Sequence, residues 1–177
     1  YIKKIQMKRD PKIATILPYK ENYTISKAQA AAIWVSDFFK NSRFKKNNFI
    51  YGNTTGKDYL TNNYINIKLK SINSKIFSTT NEYCNEFIRI YNKEKFDIIE
   101  IHNRPLVLTY LQKVLSSKFI IYFHNDPLSM KGSITVKERI NLLKISDKIV
   151  FISQWVKKRF FENLNEYSEE KTRVIYH

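Results

Sequence analysis

The chain has 177 residues, 43% of them hydrophobic, with only 3 Gly and 4 Pro. This composition suits one folded domain with a sizeable core and excludes a disordered or linker-rich chain. The 31 Lys and Arg residues against 16 Asp and Glu residues give a net charge of +15. Such a charge attracts nucleic acids and anionic lipid surfaces, although the Lys codons of an AT-rich genome explain it equally well.

Cysteine usage and hydropathy restrict the cellular compartment. The single cysteine, Cys84, cannot form an internal disulfide, which favours a reducing environment and a non-catalytic thiol. No apolar run approaches the roughly 20 residues that cross a bilayer, and the first residues lead into no secretory signal. We therefore expect a cytoplasmic protein, at most peripheral on the inner face of the cytoplasmic membrane.

Strand and helix signals alternate through the first half of the chain. They predict a buried strand at residues 12–17, a helix at 27–40, a strand at 49–51, an exposed loop at 53–63, an edge strand at 64–69 and a short piece at 75–77. An apolar stripe on the helix should face a sheet and consists of Ala30, Ala31, Trp34, Val35 and Phe38.

The second half contains two capping-box patterns, in which a hydroxyl and a carboxylate three residues later bind each other's amides. Thr79 with Glu82 predicts a helix to about residue 93, and Thr135 with Glu138 predicts one to about residue 145. The remaining signals predict strands at 96–101, 118–123, 148–152 and 173–176, and helices at 105–115 and 154–164.

This alternation predicts the α/β class: a Rossmann-like three-layer sandwich with a mostly parallel sheet and helices on both faces. The apolar run at 119–123 is typical of a strand that is covered on both sides. Because no repeat and no linker interrupts the pattern, residues 1–177 are interpreted as one domain.

In an open parallel sheet, ligands bind beyond the carboxyl ends of the strands. The polar residues that follow the predicted strands are Tyr19, Glu21, His102, Asn103, Arg104, His124, Asn125, Asp126 and Ser153. Histidine beside a carboxylate binds hydroxyls or exchanges protons near neutral pH, and Arg can fork onto a phosphate. The pattern indicates a site for a sugar or a pyrophosphate; alternatively, the histidines only cap strand ends beside turns.

Other chemistries are disfavoured. His102, His124 and Asp126 could approach one another, but no closely spaced pair of metal ligands occurs, so we expect no metal. The chain has no phosphate-binding P-loop and no dinucleotide fingerprint, and Ser153 lacks the glycines of a nucleophile elbow. We therefore expect no cofactor.

The order of segments resembles family 4 of the glycosyltransferases, enzymes of the GT-B type, in the subset that makes bacterial surface polysaccharides. The resemblance rests on residues 12–19, 97–105, 123–127, 146–155 and 173–177, and it covers nearly the whole chain. It implies the amino-terminal, acceptor-side half of a GT-B enzyme, with the nucleotide-sugar-binding domain absent from this chain. The loop at 26–31 departs from the pattern because it lacks the usual glycines, although Lys27 could supply charge there.

The resemblance also implies an activity: retaining transfer of a sugar from a nucleotide sugar to a lipid-linked or saccharide acceptor in polysaccharide or lipopolysaccharide synthesis. The fragment alone should be inactive. His124 and Asp126 would be the catalytic residues. Acceptor or substrate contacts would come from Tyr19, Glu21, Lys27, His102, Asn103, Arg104, Asn125 and Ser153. Basic surface residues would hold the enzyme against an anionic membrane, with candidates at Lys157, Lys158 and Arg159.

Two alternatives stay open from the sequence. One is a stand-alone module that binds a carbohydrate or a nucleotide. The other is a basic nucleic-acid-binding domain, but the aromatic residues mostly occupy apolar positions and no nucleic-acid-binding motif is present. We therefore expect no nucleic-acid partner.

Overall fold

The computed structural model describes residues 9–70, 78–165 and 169–176. The described strands form one seven-stranded, wholly parallel sheet. They are β1 (Ile13–Ile16), β2 (Asn48–Gly52), β3 (Tyr64–Asn66), β4 (Ile98–His102), β5 (Lys118–Phe123), β6 (Lys148–Phe151) and β7 (Thr172–Val174). Their order, β3-β2-β1-β4-β5-β6-β7, reverses between β1 and β4, which makes that point the expected ligand-binding crevice.

Helices cover both faces of the sheet, as predicted. They are α1 (Ala30–Asn41), α2 (Thr79–Glu94), α3 (Pro105–Leu111), α4 (Val136–Ile145) and α5 (Gln154–Phe160). Helices α2 to α5 share the larger core with one face of the sheet, and α1 packs in a smaller core on the opposite face. Short 3-10 turns lie at Lys45–Asn47, Pro127–Ser129 and Glu169–Lys171.

The beginning of α1 differs from the prediction. The helix starts at Ala30 and not at residue 27. The amides of Lys27 and Ala28 instead donate hydrogen bonds to the carbonyl of Thr24, which forms a turn before the helix. Within the predicted apolar stripe, Ala31, Trp34 and Val35 are buried, whereas Ala30 and Phe38 are exposed.

The two predicted capping boxes have different outcomes. The box of Thr135 and Glu138 at the start of α4 is confirmed, with both reciprocal hydrogen bonds present. The box at Thr79 is wrong: the Ser78 hydroxyl caps α2 by accepting from the Asn81 amide at 3.2 Å. Glu82 instead accepts from the Lys70 amide at 2.5 Å, a contact between distant residues that local spacing cannot reveal.

The loop at 53–63 is less exposed than predicted, because two of its threonine hydroxyls form hydrogen bonds with buried tyrosines. Thr54 accepts from the Tyr23 amide at 2.9 Å and from the Tyr64 hydroxyl at 2.7 Å, and Thr61 lies 3.2 Å from the Tyr23 hydroxyl. The strand predicted at 64–69 lies at the sheet edge, but it is shorter than predicted, because β3 covers only Tyr64–Asn66. The piece predicted at 75–77 lies outside the described residues.

Candidate functional site

The ends of β4 and β5 bring the two predicted histidines into contact. These strands are neighbours in the sheet, so His102, which ends β4, comes beside His124, which follows β5. The Nδ1 atom of His102 lies 2.8 Å from the Nε2 atom of His124, within hydrogen-bonding distance. The carboxyl ends of two adjacent parallel strands therefore carry a directly bonded histidine pair.

Asn103 fixes the backbone of this pair. Its φ of 51° lies in the left-handed region, which asparagine tolerates better than most residues. In this conformation its amide donates to the Tyr122 carbonyl at 2.8 Å, and its side-chain oxygen accepts from the His124 amide at 2.7 Å. Asn103 thus holds the segments after β4 and β5 together with both its backbone and its side chain.

Aromatic rings surround the histidine pair on the α1 side. The His102 ring stacks on Tyr122 at 4.5 Å, and Trp34 of α1 lies 5.9 Å from His102 and 5.2 Å from His124. Burial, together with the neighbouring His124, holds the pKa of His102 well below its usual value of 6.5, so the ring is neutral at pH 7.

The burial of His102 changes its expected role. Its side chain is only 1% exposed, so it offers almost no surface to a ligand and is not suited to the direct substrate contact predicted from the sequence. His124 is partly exposed and is the member of the pair that faces the rim of the sheet.

A half-buried carboxylate beneath the pair, Glu100, was not predicted from the sequence. Glu100 of β4 accepts a hydrogen bond from the Thr15 hydroxyl at 2.9 Å and one from the Tyr122 hydroxyl at 3.2 Å. Burial raises the pKa of Glu100, with the two hydrogen bonds opposing that rise. The sequence did contain a sign of this group, because Glu100 is a carboxylate within an otherwise apolar strand. Burying a carboxylate costs free energy unless the group has hydrogen-bond partners.

Asp126 is occupied by structural partners. Its carboxylate accepts from the Leu128 amide at 3.0 Å and pairs with Arg159 at 3.1 Å. Partial burial raises the pKa of Asp126, but the hydrogen bonds from Arg159 and Leu128 outweigh it and bring the pKa below its ordinary value. The carboxylate predicted to act at the reacting centre thus joins the loop after β5 to α5.

A groove of about 570 Å³ opens beside the rim, at the starts of α2 and α3. Tyr19, Asn103 and Arg104, all predicted site residues, line it. The Arg104 guanidinium lies 5.0 Å from the Tyr19 ring centre and donates to the Asn103 carbonyl at 2.9 Å. The other basic lining residues are Lys20, Lys113 and Lys131, and the described lining contains no carboxylate.

Glu21, another predicted site residue, lies outside the groove. Glu21 is 7% exposed and accepts from the Ala32 amide at 3.1 Å, so it caps α1 in place of Gln29, whose side chain makes no cap. Burial raises the pKa of Glu21, against the opposing effects of the Ala32 amide and Arg104.

Three further predicted residues do not belong to the groove. Lys27 and Asn125 are exposed, and Ser153 caps α5 by accepting from the Val156 amide at 3.2 Å. Lys27, Asn125 and Ser153 are not among the described residues that line the groove.

The described residues also bear on metal binding, membrane crossing and thiol reactivity. No three His, Cys, Asp or Glu side chains of the described segments are grouped as a metal would require. None of the helices in residues 9–70, 78–165 and 169–176 has the length and apolarity needed to cross a bilayer. Cys84 is buried, which raises the pKa of its thiol to about 12 and makes it a poor nucleophile.

No family model matches the sequence, and no curated protein matches it either. Solved structures do share the fold. A chain of sucrose-phosphate synthase from Thermosynechococcus elongatus has a TM-score of 0.62 at 10% identity, and the match covers 93% of this chain and 88% of that one. A longer chain of the same enzyme has a TM-score of 0.62 at 11% identity, with 93% and 48% covered.

The predicted fold class is confirmed: this is a Rossmann-like α/β fold matching a domain of a GT-B glycosyltransferase. The chain spans about half of the longer synthase chain, 48% of its length. At these identities the likeness concerns the fold alone, so the assignment to family 4 stays a prediction.

Proposed function

We propose that this chain is the acceptor-side, amino-terminal domain of a retaining glycosyltransferase. The enzyme would transfer a sugar from a nucleotide sugar to a lipid-linked or saccharide acceptor in bacterial cell-envelope polysaccharide or lipopolysaccharide synthesis. The observation that carries the proposal is a partly exposed His124 beside a basic groove, bonded to buried His102, which ends β4 at the switch point of the sheet. The GT-B-like fold supports it.

His124 is the proposed catalytic residue. It follows β5 at the carboxyl-end edge of the sheet, the edge at which open parallel sheets bind ligands, and both its ring and its amide are fixed by hydrogen bonds. A fixed imidazole can bind an oxygen of the donor sugar in the transition state without reorganising. Asp126 would act as a positioning residue, because its pairing with Arg159 holds the loop that follows His124.

The groove is the proposed acceptor site. Four basic side chains and no described carboxylate line it, so it favours an anionic ligand such as the phosphate of a lipid-linked saccharide. Asn103 joins this site to the reacting centre, because it lines the groove and accepts from the His124 amide. No metal and no cofactor are needed in this proposal.

The donor nucleotide would be held by a second domain outside this chain. The match to 48% of a longer synthase chain leaves room for such a domain. Lys157 and Lys158 on α5 would favour an anionic membrane surface, each contributing about 1 kcal/mol when close to it. The proposed enzyme would therefore work at the cytoplasmic face of the membrane.

The test is a transfer assay with the full-length protein that the gene encodes. Radiolabelled nucleotide sugars are incubated with lipid and saccharide extracts of the source organism, and label in the acceptor fraction is measured. Transfer should fall by about 10²- to 10³-fold in His124→Ala, because a preorganised transition-state contact is lost. Near-normal transfer by folded His124→Ala would remove His124 from the mechanism.

Arg104 tests the groove separately. Arg104→Ala should raise the KM for the acceptor by about tenfold or more, the effect of losing a charged hydrogen bond. Arg89→Ala is the matched control, since Arg89 lies exposed on α2 and its ion pair among the described residues is a local one, with Glu86 at 3.1 Å. Equal effects of the two variants would place the acceptor elsewhere.

The stand-alone binding module is the second candidate, and the described groove is the observation that favours it. Calorimetry of this chain with nucleotide sugars distinguishes the two. The transferase proposal requires weak donor binding by this chain alone. Tight binding to the isolated chain, with no transfer by the full-length protein, would favour the module.

A further inference from the structure

The buried environment of His102 restricts which nitrogen carries its proton. His102 is neutral, so one ring nitrogen is a donor and the other an acceptor. Its Nδ1 atom meets His124 Nε2 at 2.8 Å. Its Nε2 atom is buried and has no hydrogen-bond partner among the described residues.

Two proton arrangements fit the 2.8 Å contact. In the first, His124 donates from Nε2, and the proton of neutral His102 must then sit on Nε2, leaving a buried N–H donor without an acceptor. In the second, His102 donates from Nδ1, and only a lone pair is left without a partner. Orphaned buried N–H donors are rarer in proteins than under-satisfied acceptors, which favours the second arrangement.

We infer that His102 is a positioning residue that donates from Nδ1 to His124 Nε2 and thereby holds His124 in its Nδ1–H tautomer. Any ligand that His124 reaches then meets an N–H donor and not a basic nitrogen. This suits binding of an oxygen acceptor, such as a hydroxyl, ring or phosphate oxygen of a sugar donor.

The surroundings of His102 keep the ring in this orientation. Tyr122 stacks on one side of it, at 4.5 Å and 10° between planes, and Trp34 approaches at 5.9 Å. Asn103 fixes the backbone that follows His102, through the hydrogen bond that it accepts from the His124 amide. The His102 ring therefore has little freedom to turn and exchange the roles of its two nitrogens.

The role of this pair in sugar transfer rests on the proposed function, whereas the tautomer does not, so the two are tested separately. The chain contains three histidines, and ¹⁵N-labelled imidazole spectra at neutral pH identify the protonated nitrogen of each one. The signals that change in the spectrum of His124→Ala are assigned to His102 and His124. We expect both His102 and His124 as Nδ1–H forms, opposite to the Nε2–H form that free histidine prefers. An Nε2–H signal for His124 in the wild-type chain would overturn the inference.

Variants show whether His102 causes this preference. His102→Phe keeps an aromatic ring against Tyr122 and Trp34 but removes the donor, so His124 should return towards the Nε2–H form. Tyr122→Phe is the matched control: it keeps the stacked ring and loses only the hydroxyl that binds Glu100. The tautomer of His124 should be unchanged in that control. If His102→Phe leaves the His124 tautomer unchanged, His102 does not set it.

The transfer assay then gives the functional readout. In the full-length protein, His102→Phe should lower kcat by about tenfold, the effect of one lost hydrogen bond, and leave the KM for the acceptor unchanged. A rise in acceptor KM with unchanged kcat would overturn the positioning role. A confirmed tautomer with no detectable transfer by any full-length protein would instead count against the proposed function.

Discussion

The two faces of the sheet differ in the polarity of the side chains that they bury. The face under α2 to α5 has an almost entirely apolar core, with Phe123, Phe151 and Phe160 packed ring to ring. The face under α1 instead holds Glu100 and His102 among its aromatic residues. The first face contains the larger apolar core, and the second places titratable groups under the carboxyl-end rim of the sheet.

The apolar face should be the more sensitive to truncation, and this is the largest effect expected. Phe123 is fully buried, with the rings of Phe160 and Phe151 at 5.4 and 5.9 Å. Phe123→Ala should lower the free energy of unfolding by about 3–5 kcal/mol in urea titrations, because it leaves a cavity. On the other face, Phe38 is 43% exposed and stacks on Trp34, so Phe38→Ala should cost about 1 kcal/mol. Equal losses would contradict the comparison.

The α1 face should respond more to pH than to truncation. The pKa of His102 is lowered in the folded chain, so the unfolded chain binds the proton first as the pH falls. Stability is therefore lost below about pH 6.5, with a slope of at most about 1.4 kcal/mol per pH unit for one proton. Urea titrations at about pH 5 and about pH 7.5 should show a smaller loss in His102→Phe than in the wild type. Identical losses would mean that His102 is not held neutral.

The cap at the start of α1 should make a contribution of intermediate size to the free energy of unfolding. Glu21 caps this helix from outside it, so Glu21→Ala should lower the free energy of unfolding by about 1–2 kcal/mol. Glu21→Gln keeps an oxygen acceptor for the Ala32 amide and should retain most of the stability. Thr135→Ala, which removes the local cap of α4, should cost about 1 kcal/mol and provides a reference. A Gln variant as unstable as the Ala variant would argue against the cap.

Glu100 gives the smallest expected effect. Burial raises its pKa in the folded chain, so the unfolded chain releases the proton first as the pH rises through about 4.5. The wild type should therefore lose stability relative to Glu100→Gln between about pH 4 and about pH 7. A constant difference between the two proteins over this range would show that the pKa of Glu100 is unperturbed.

Sequence reasoning predicted the parts of the molecule that depend on local spacing. Alternating strand and helix signals gave the parallel sheet, and the position of His102 and His124 after successive strands placed both at one rim. The capping box at Thr135 was predictable because all its atoms lie within four residues. The roles proposed for these side chains in transfer stay predictions.

The contacts between distant residues could not be predicted. Glu21 caps a helix whose bound amide lies eleven residues away, and the bond between Glu82 and Lys70 likewise crosses a loop. His102 is buried because α1 brings Trp34 over the ends of β4 and β5, which no local pattern encodes. For the same reason, the partner of Asp126 proved to be Arg159, 33 residues further along the chain.

The position of Trp34 gives the molecule an optical reporter. Its indole ring lies 5.2 Å from His124, and protonated imidazole quenches indole fluorescence at such distances. The other tryptophan, Trp155, is 56% exposed, so we expect its emission at longer wavelength and open to quenchers dissolved in the solvent. We expect the emission of buried Trp34, at shorter wavelength, to change when the neighbouring histidine pair is protonated, without any added label.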